Sequence, residues 1–288
     1  MGKIVYGKDL SKRLKQELND EITSNVLNKG KRLPRLDIIL VGNDPASESY
    51  VRSKTNASKQ VNIETILHRL PEDATQDQVN DLINELNSNE LVDGLLVQLP
   101  LPKHLDSDQA IGLISPDKDV DGLTELNAGK LFTGKDDGLF PCTAAGIIAY
   151  LKEMGVEIAG KLAVVVGRSN IVGLPVSRLL LKENATVITC HSKTKNLKEL
   201  TSQADILISA TGQPEMITAE YIKEGAYVID VGCTLVNDSF KGDVKLEDVV
   251  DKVTAISPVP GGVGRMTTTM LMYNTYRAYK IHMRSERK

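Results

Sequence analysis

Cysteine is scarce in this chain of 288 residues: Cys142, Cys190 and Cys233 stand far apart, with no Cys-x-x-Cys pair among them. That excludes a disulfide framework and suits a reducing, cytoplasmic setting. Histidine is nearly as sparse. His68, His104, His191 and His282 are scattered at no metal-ligand spacing, so no metal centre is expected. An excess of basic charge is missing too: 35 Lys and Arg against 38 Asp and Glu leave a net charge of −3. A nucleic-acid partner would call for a basic field, and none is expected. No apolar run approaches the roughly 18 residues of a membrane span. Met1 to Tyr6 hold no basic stretch followed by an apolar one, so neither a membrane anchor nor a signal peptide is expected.

What is present is ordinary globular composition, 41% hydrophobic and 25% charged, in a chain longer than one domain usually requires. Apolar strand-like runs alternate with longer amphipathic stretches, the pattern of an α/β architecture with a largely parallel sheet. Strands are expected at Leu36–Val41, Glu64–Leu70, Gly94–Gln98, Leu162–Val166, Thr186–Thr189, Ile206–Ala210 and Tyr227–Val231. Helices are expected near Leu10–Asn28, Ala46–Gln60, Asp77–Asn87, Thr143–Met154, Pro175–Leu181, Ala219–Lys223 and Met266–Met283. The polar, turn-rich run Gly134-Lys-Asp-Asp-Gly138 suggests a boundary. The expected organisation is an α/β substrate domain of residues 1–139 plus 266–288 and a Rossmann-like dinucleotide-binding domain of residues 140–265, with an active-site cleft between them.

In the second of these, Leu162-Ala-Val-Val-Val166 runs into Gly167-Arg168-Ser169-Asn-Ile-Val-Gly173-Leu-Pro175. A buried strand, a glycine loop and a helix start place a pyrophosphate on a helix N-terminus. The middle glycine of the usual G-x-G-x-x-G spacing is absent, and by this motif alone an ordinary strand-to-helix turn is an equal reading. The next strand tips the balance. Where an Asp or Glu would hold the ribose hydroxyls of NAD, the chain has Cys190-His191-Ser192-Lys193. An acid there would repel a 2′-phosphate, whereas Arg168, Ser192 and Lys193 can bind one through charge-assisted hydrogen bonds, so NADP is the expected cofactor. Two further strands end in glycine, and the backbone near Thr211–Gln213 and Gly232–Cys233 is placed to approach a dinucleotide.

In the first, Asp44-Pro45 is a helix start, an N-cap acid followed by proline at the first helical position. Tyr50 and Lys54 then lie four residues apart and share a helix face. A phenol and an ammonium projecting together can stack on a flat heterocycle and exchange a proton beside it. Taken alone, such a pair is more often a solvated lysine beside a packed tyrosine.

The pair is not alone. Val41-Gly-Asn-Asp-Pro-Ala-Ser-Glu-Ser-Tyr50-Val-Arg-Ser-Lys54, Val92-Asp-Gly-Leu-Leu-Val-Gln98-Leu99-Pro-Leu-Pro102, Lys118-Asp-Val-Asp121-Gly122 and Pro141-Cys-Thr143 resemble blocks of the bifunctional methylenetetrahydrofolate dehydrogenase/cyclohydrolase family. So do the glycine loop, Ala185–Thr194 and Pro258-Val-Pro260-Gly261-Gly262-Val-Gly264, in the family's order along nearly the whole chain. The resemblance implies NADP-dependent oxidation of 5,10-methylenetetrahydrofolate, then hydrolysis to 10-formyltetrahydrofolate, by a cytoplasmic homodimer that pairs through its cofactor domains. It implies that Tyr50 stacks on the folate, Lys54 is the acid/base group, Gln98 bonds Lys54 or the one-carbon unit, and Asp121 holds the pterin's donor edge. Leu99 and Pro260-Gly261-Gly262 would complete the folate site. Gly167, Arg168, Ser169, Ser192 and Cys233 would contact NADP. The chain departs from the family pattern at Leu123-Thr124-Glu125, where Phe-His-Pro is usual, and at Ala144 and Arg265, where proline is frequent. Three rival readings remain: a dehydrogenase that has lost hydrolysis, against which Lys54 and Gln98 speak; another NADP oxidoreductase of similar plan, such as a shikimate-type dehydrogenase; and a non-catalytic nucleotide-sensing or scaffold protein.

Overall fold

The computed structural model describes residues 2–237 and 239–285. Among them the order is β1 (Lys3–Ile4), α1 (Gly7–Asn25), β2 (Arg35–Val41), α2 (Pro45–Lys59), β3 (Glu64–Leu70), α3 (Gln76–Ser88), β4 (Gly94–Val97), α4 (Ser107–Leu113), α5 (Glu125–Phe132) and α6 (Cys142–Glu153). There follow β5 (Leu162–Val166), α7 (Gly173–Lys182), β6 (Thr186–Cys190), α8 (Leu197–Thr201), β7 (Ile206–Ser209), β8 (Tyr227–Asp230), β9 (Thr234–Val236), β10 (Ser239–Lys241), α9 (Leu246–Val249), β11 (Ala255–Ile256) and α10 (Val263–Ser285). Short 3₁₀ turns stand at Leu27–Lys29 and Ala219–Tyr221, the second where a short helix is expected from the sequence.

The chain forms two compact units, Arg13–Cys142 with Thr268–Lys288, and Met1–Lys12 with Thr143–Thr267. Their boundaries fall inside α1, α6 and α10. In the first unit β2 is central to a parallel sheet of order β3-β2-β4. Its side chains alternate: Leu36, Ile38 and Leu40 pack with Leu18, Ile22, Tyr276 and Tyr279 on one face. Ile39 and Val41 pack with Val79, Ile83 and Leu86 on the other. Burial on both faces is why Ile38–Val41 reads as continuously apolar, each such side chain being worth about 1.5–3 kcal/mol of transfer free energy. Asp44 caps α2, accepting from the Ser47 amide at 2.8 Å, with Pro45 as the first helical residue. Thr75 and Gln78 form a reciprocal capping box on α3.

The second unit holds a parallel six-stranded sheet, β1-β11-β8-β7-β5-β6. From β5 the chain moves outward to β6 and then returns to β7 on the other side, which puts the topological switch point beside β5. Residues 1–12, assigned from the sequence to the substrate domain, group here instead. Lys3 and Ile4 pair with Ala255 and Ile256, the Val5 amide donates to the Ile256 carbonyl at 2.9 Å, and the buried Tyr150 hydroxyl donates to the Val5 carbonyl. A two-residue edge strand carries too little pattern to announce that pairing.

Candidate active site

In the first unit, Asp44 caps the start of α2, and the four-residue spacing of Tyr50 and Lys54 brings them to one side of it. Tyr50 is 57% exposed, available to stack on a flat ligand. Gln98 follows β4, held by its amide to the Ile39 carbonyl at 2.9 Å. Its side chain is buried, and both ends are engaged: Nε2 donates to the Leu99 carbonyl at 2.6 Å and Oε1 accepts from Lys54 Nζ at 2.8 Å. An ammonium can only donate, so this contact settles which end of the amide faces Lys54. A bond across 44 residues of sequence thus orients the lysine.

The Lys118–Gly122 segment runs beside β4, with the Leu95 amide donating to the Lys118 carbonyl at 2.7 Å. Lys118 is buried and closes the end of α3, its Nζ donating to the carbonyls of Leu86, Asn87 and Asn89 at 3.1, 2.7 and 2.8 Å. Burial pulls its pKa down. Asp119 is buried too. It accepts from the amides of Gly122, Leu123 and Thr124, from Thr124 Oγ1 and from Asn127 Nδ2, all within 2.7–3.0 Å. The atypical Leu123-Thr124 pair is therefore part of a loop that closes on Asp119. Asp121 is different, since it keeps part of its surface open. Burial pushes its carboxyl pKa up, the Lys54 ammonium opposes this, and Asp119 adds to it. Cys142 lies against it, its Sγ donating to the Val120 carbonyl at 3.2 Å, and burial together with Asp121 keeps it a thiol. One partly open carboxylate, one amide and one ammonium thus stand together among framework groups that are already satisfied.

In the second unit, Gly167 ends β5 with φ 131°, and a Cβ there would lie 2.3 Å from the Ala210 carbonyl oxygen. A Cβ on Gly173 would lie 2.2 Å from the Gly167 carbonyl oxygen. Only glycine lets β5, the loop and α7 approach this closely. Ser169 Oγ accepts from the Val172 amide at 3.2 Å, shaping the loop, and keeps its own proton to donate. Arg168, Ser169, Ser192 and Lys193 are exposed. The turn after β6 is held by the His191 amide on Thr194 Oγ1 at 2.8 Å and carries no acid. A glycine cradle at a helix N-terminus, with exposed cations where a 2′-phosphate would fall, fits NADP.

At the ends of β7 and β8, Asp243 Oδ2 accepts from Ser209 Oγ at 3.1 Å and from the Thr211 amide at 2.6 Å. Asp230 accepts from the amides of Gly232, Asp243 and Val244, and burial pushes its pKa up to about 7. Gly232 lies against Asp243, and Cys233 beyond it is exposed. Pro260 follows a cis peptide bond, and Gly261, at φ 102°, accepts from the Gly7 amide at 2.9 Å. The expected site residues are therefore divided: Tyr50, Lys54, Gln98, Leu99 and Asp121 in one unit, the cofactor residues and Pro260–Gly262 in the other. Sequence reasoning missed Asp119, Asp230, Asp243 and Asn274, whose hydrogen bonds shape these loops.

Comparison with known proteins agrees with this geometry. Residues 5–121 match the family model "Tetrahydrofolate dehydrogenase/cyclohydrolase, catalytic domain", and residues 141–283 match "Tetrahydrofolate dehydrogenase/cyclohydrolase, NAD(P)-binding domain". The chain belongs to the tetrahydrofolate dehydrogenase/cyclohydrolase family. It is 51% identical over 280 residues to the bifunctional protein FolD of Aquifex aeolicus, covering 97% of this chain and 96% of that one. Among solved structures, the Campylobacter jejuni bifunctional enzyme FolD superposes with a TM-score of 0.94 at 42% identity, covering 98% of this chain and 99% of that one. The Trypanosoma brucei methylenetetrahydrofolate dehydrogenase-cyclohydrolase, solved with NADP cofactor and inhibitor, superposes at 0.93 with 37% identity, covering 98% and 99%.

Proposed function

We propose that the chain oxidises 5,10-methylenetetrahydrofolate with NADP and hydrolyses the methenyl product to 10-formyltetrahydrofolate. The observation that carries this reading is the Lys54–Gln98 hydrogen bond at 2.8 Å beside the partly open Asp121, inside the catalytic-domain match. When bound, NADP supplies the hydride acceptor. Gly167 and Gly173 admit its pyrophosphate to the start of α7, while Arg168, Ser192 and Lys193 take the 2′-phosphate; Ser169 and Cys233 contact the rest.

On the folate side, Tyr50 stacks on the pterin and Asp121 accepts hydrogen bonds from its amino-pyrimidinone edge. Leu99 contacts the folate on this unit, and the family resemblance assigns folate contact to Pro260–Gly262 as well. Hydride loss asks for alignment rather than acid or base. The hydrolytic step differs, because water must lose a proton as it adds and a ring nitrogen must gain one as the ring opens. Lys54 handles those protons, and Gln98 holds its Nζ in place. The chain works as a cytoplasmic homodimer, as the family resemblance implies. Leu235 and Phe240 on β9 and β10, 60% and 51% exposed, offer the cofactor unit an apolar face for pairing.

The deciding experiment is spectrophotometric. Purified protein with methylenetetrahydrofolate and NADP should produce NADPH and then lose the methenyl absorbance, with NAD a poor substitute. Absence of NADPH formation with this substrate, or turnover of shikimate instead, would refute the reading.

A further inference from the structure

Asparagine is a poor residue for a helix interior, because its short amide competes for backbone groups. Asn274 nevertheless sits in the middle of α10, half-buried between the buried Met272 and Thr275. Its Nδ2 donates to the Val120 carbonyl at 2.8 Å and to the Phe140 carbonyl at 2.9 Å, and lies 3.5 Å from Cys142 Sγ. An amide nitrogen has two hydrogens, and here each has its own carbonyl.

Those two carbonyls are not arbitrary. Val120 immediately precedes Asp121, so fixing its carbonyl fixes the peptide plane from which Asp121 departs. Phe140 precedes Pro141-Cys142, and the Cys142 thiol returns to the same Val120 carbonyl at 3.2 Å. The two segments press together at Gly122, where φ is +73° and a Cβ would lie 2.4 Å from the Phe140 carbonyl carbon. On its far side the Asp121 segment is already held by Asp119, which takes the amides of Gly122, Leu123 and Thr124. Asp121 is thus suspended between two clamps made to its backbone, and its own carboxyl lies against the Cys142 thiol.

We propose that Asn274 is a positioning residue for folate binding: by joining the Val120 and Phe140 carbonyls it sets the direction in which Asp121 presents its oxygens to the pterin. It does not touch the substrate. This rests on the reading of Asp121 as the pterin acceptor, and the test separates the two. In the full chain, the KM and kcat of methenyltetrahydrofolate hydrolysis, which needs no NADP, are measured for Asn274→Ala, Asp121→Asn and the double variant. The Kd for NADP is measured by calorimetry as a check on folding. Asn274→Ala should raise KM about tenfold, since two carbonyls lose their donor, and should change kcat by no more than about twofold, the signature of lost binding rather than lost chemistry. NADP affinity should stay unchanged.

In the Asp121→Asn background the same substitution should add almost nothing, because neighbouring residues acting through one contact are not additive. Asn274→Gln, which keeps both amide hydrogens, should recover most of the KM. Should Asn274→Ala fail to fold, Asn274→Leu fills a similar volume without donors and carries the same expectation. An unchanged KM in the single variant, or a full and additive effect in the Asp121→Asn background, overturns the proposal. An Asp121→Asn variant with normal KM overturns the assignment of Asp121 first, and the proposal with it.

Discussion

His282, near the end of α10, should make the stability of the chain fall on the alkaline side. Its Nδ1 is 3.1 Å from Asp93 Oδ1 and its Nε2 is 3.2 Å from Asp117 Oδ2. Both partners are carboxylates and accept only, so both ring nitrogens carry hydrogens and the ring is an imidazolium. The two acids raise its pKa from 6.5 to about 9, against the opposing effect of burial. A folded pKa above the unfolded one stabilises fully below 6.5, and the gain disappears as pH rises through 9. From those two pKa values the contribution is about 3 kcal/mol at pH 6, about 2.5 kcal/mol at pH 7 and under ~0.5 kcal/mol at pH 9 and above. Removing the ring does not strand Asp93, which keeps both Arg32 nitrogens at 2.6 and 2.9 Å and the Arg35 amide at 2.9 Å. Asp117 has an exposed side chain and rehydrates. The cost of His282→Ala is therefore close to the linkage value plus a small packing loss that does not depend on pH. Urea unfolding of wild type and variant from pH 6 to pH 10 reads the difference directly. It should shrink steadily as the histidine titrates. A difference that is constant over the whole range would show that the imidazolium charge is not what holds the end of α10.

Lys54→Met, similar in length but unable to carry a proton, should lower cyclohydrolase activity by at least about a hundredfold. Dehydrogenase activity should stay measurable, and the methenyl intermediate should accumulate during turnover; normal hydrolysis by this variant would remove Lys54 from the mechanism. Arg168→Ala should weaken NADP by about tenfold or more, the worth of a charge-assisted bond, and leave NAD nearly unaffected. Equal losses for both cofactors would contradict the 2′-phosphate assignment. Gly173→Ala places a Cβ against the backbone of Gly167 and Arg168, so the loop must shift at a cost of about 1–3 kcal/mol. NADP affinity should fall while methenyltetrahydrofolate hydrolysis, assayed without cofactor, stays close to wild type.

Much of the fold was legible because central strands, Leu162–Val166 among them, are buried on both faces. Glu64–Leu70 and Leu162–Val166 have the bounds expected from the sequence, and the other long strands differ by a residue or so at an end. The long helices were equally plain, carrying caps such as Asp44-Pro45. The elements that escaped are short or depend on distant partners: β1 and β11 are two residues each, β9 and β10 three, and α9 four. Periodicity needs more residues than these contain. Helices α4 and α5 lie in polar sequence, where a cap such as Asp106 or Thr124 is easily taken for a loop residue.

The sequence offers candidate residues for the site but not their division of labour. Lys118-Asp119-Val120-Asp121 contains three ionisable groups in four positions, and local chemistry does not say which of them faces a ligand. The structure separates them by counting hydrogen bonds. Lys118 spends three donors on the end of α3, and Asp119 accepts five bonds from the loop that follows. A carboxylate with five donors has no capacity left for a pterin, whereas Asp121 has Lys54 as its opposing charge and part of its surface open. The donors that occupy Asp119 lie in residues 122–127, outside the motif, and the atypical Leu123-Thr124 pair supplies three of the five. Two of those donors are backbone amides at Leu123 and Thr124, and any non-proline residues at these positions would supply them. The third is the Thr124 hydroxyl, the one donor here that depends on a side chain of the atypical stretch. The one side-chain bond that the atypical stretch makes here therefore goes to Asp119, the neighbouring acid, and not to Asp121.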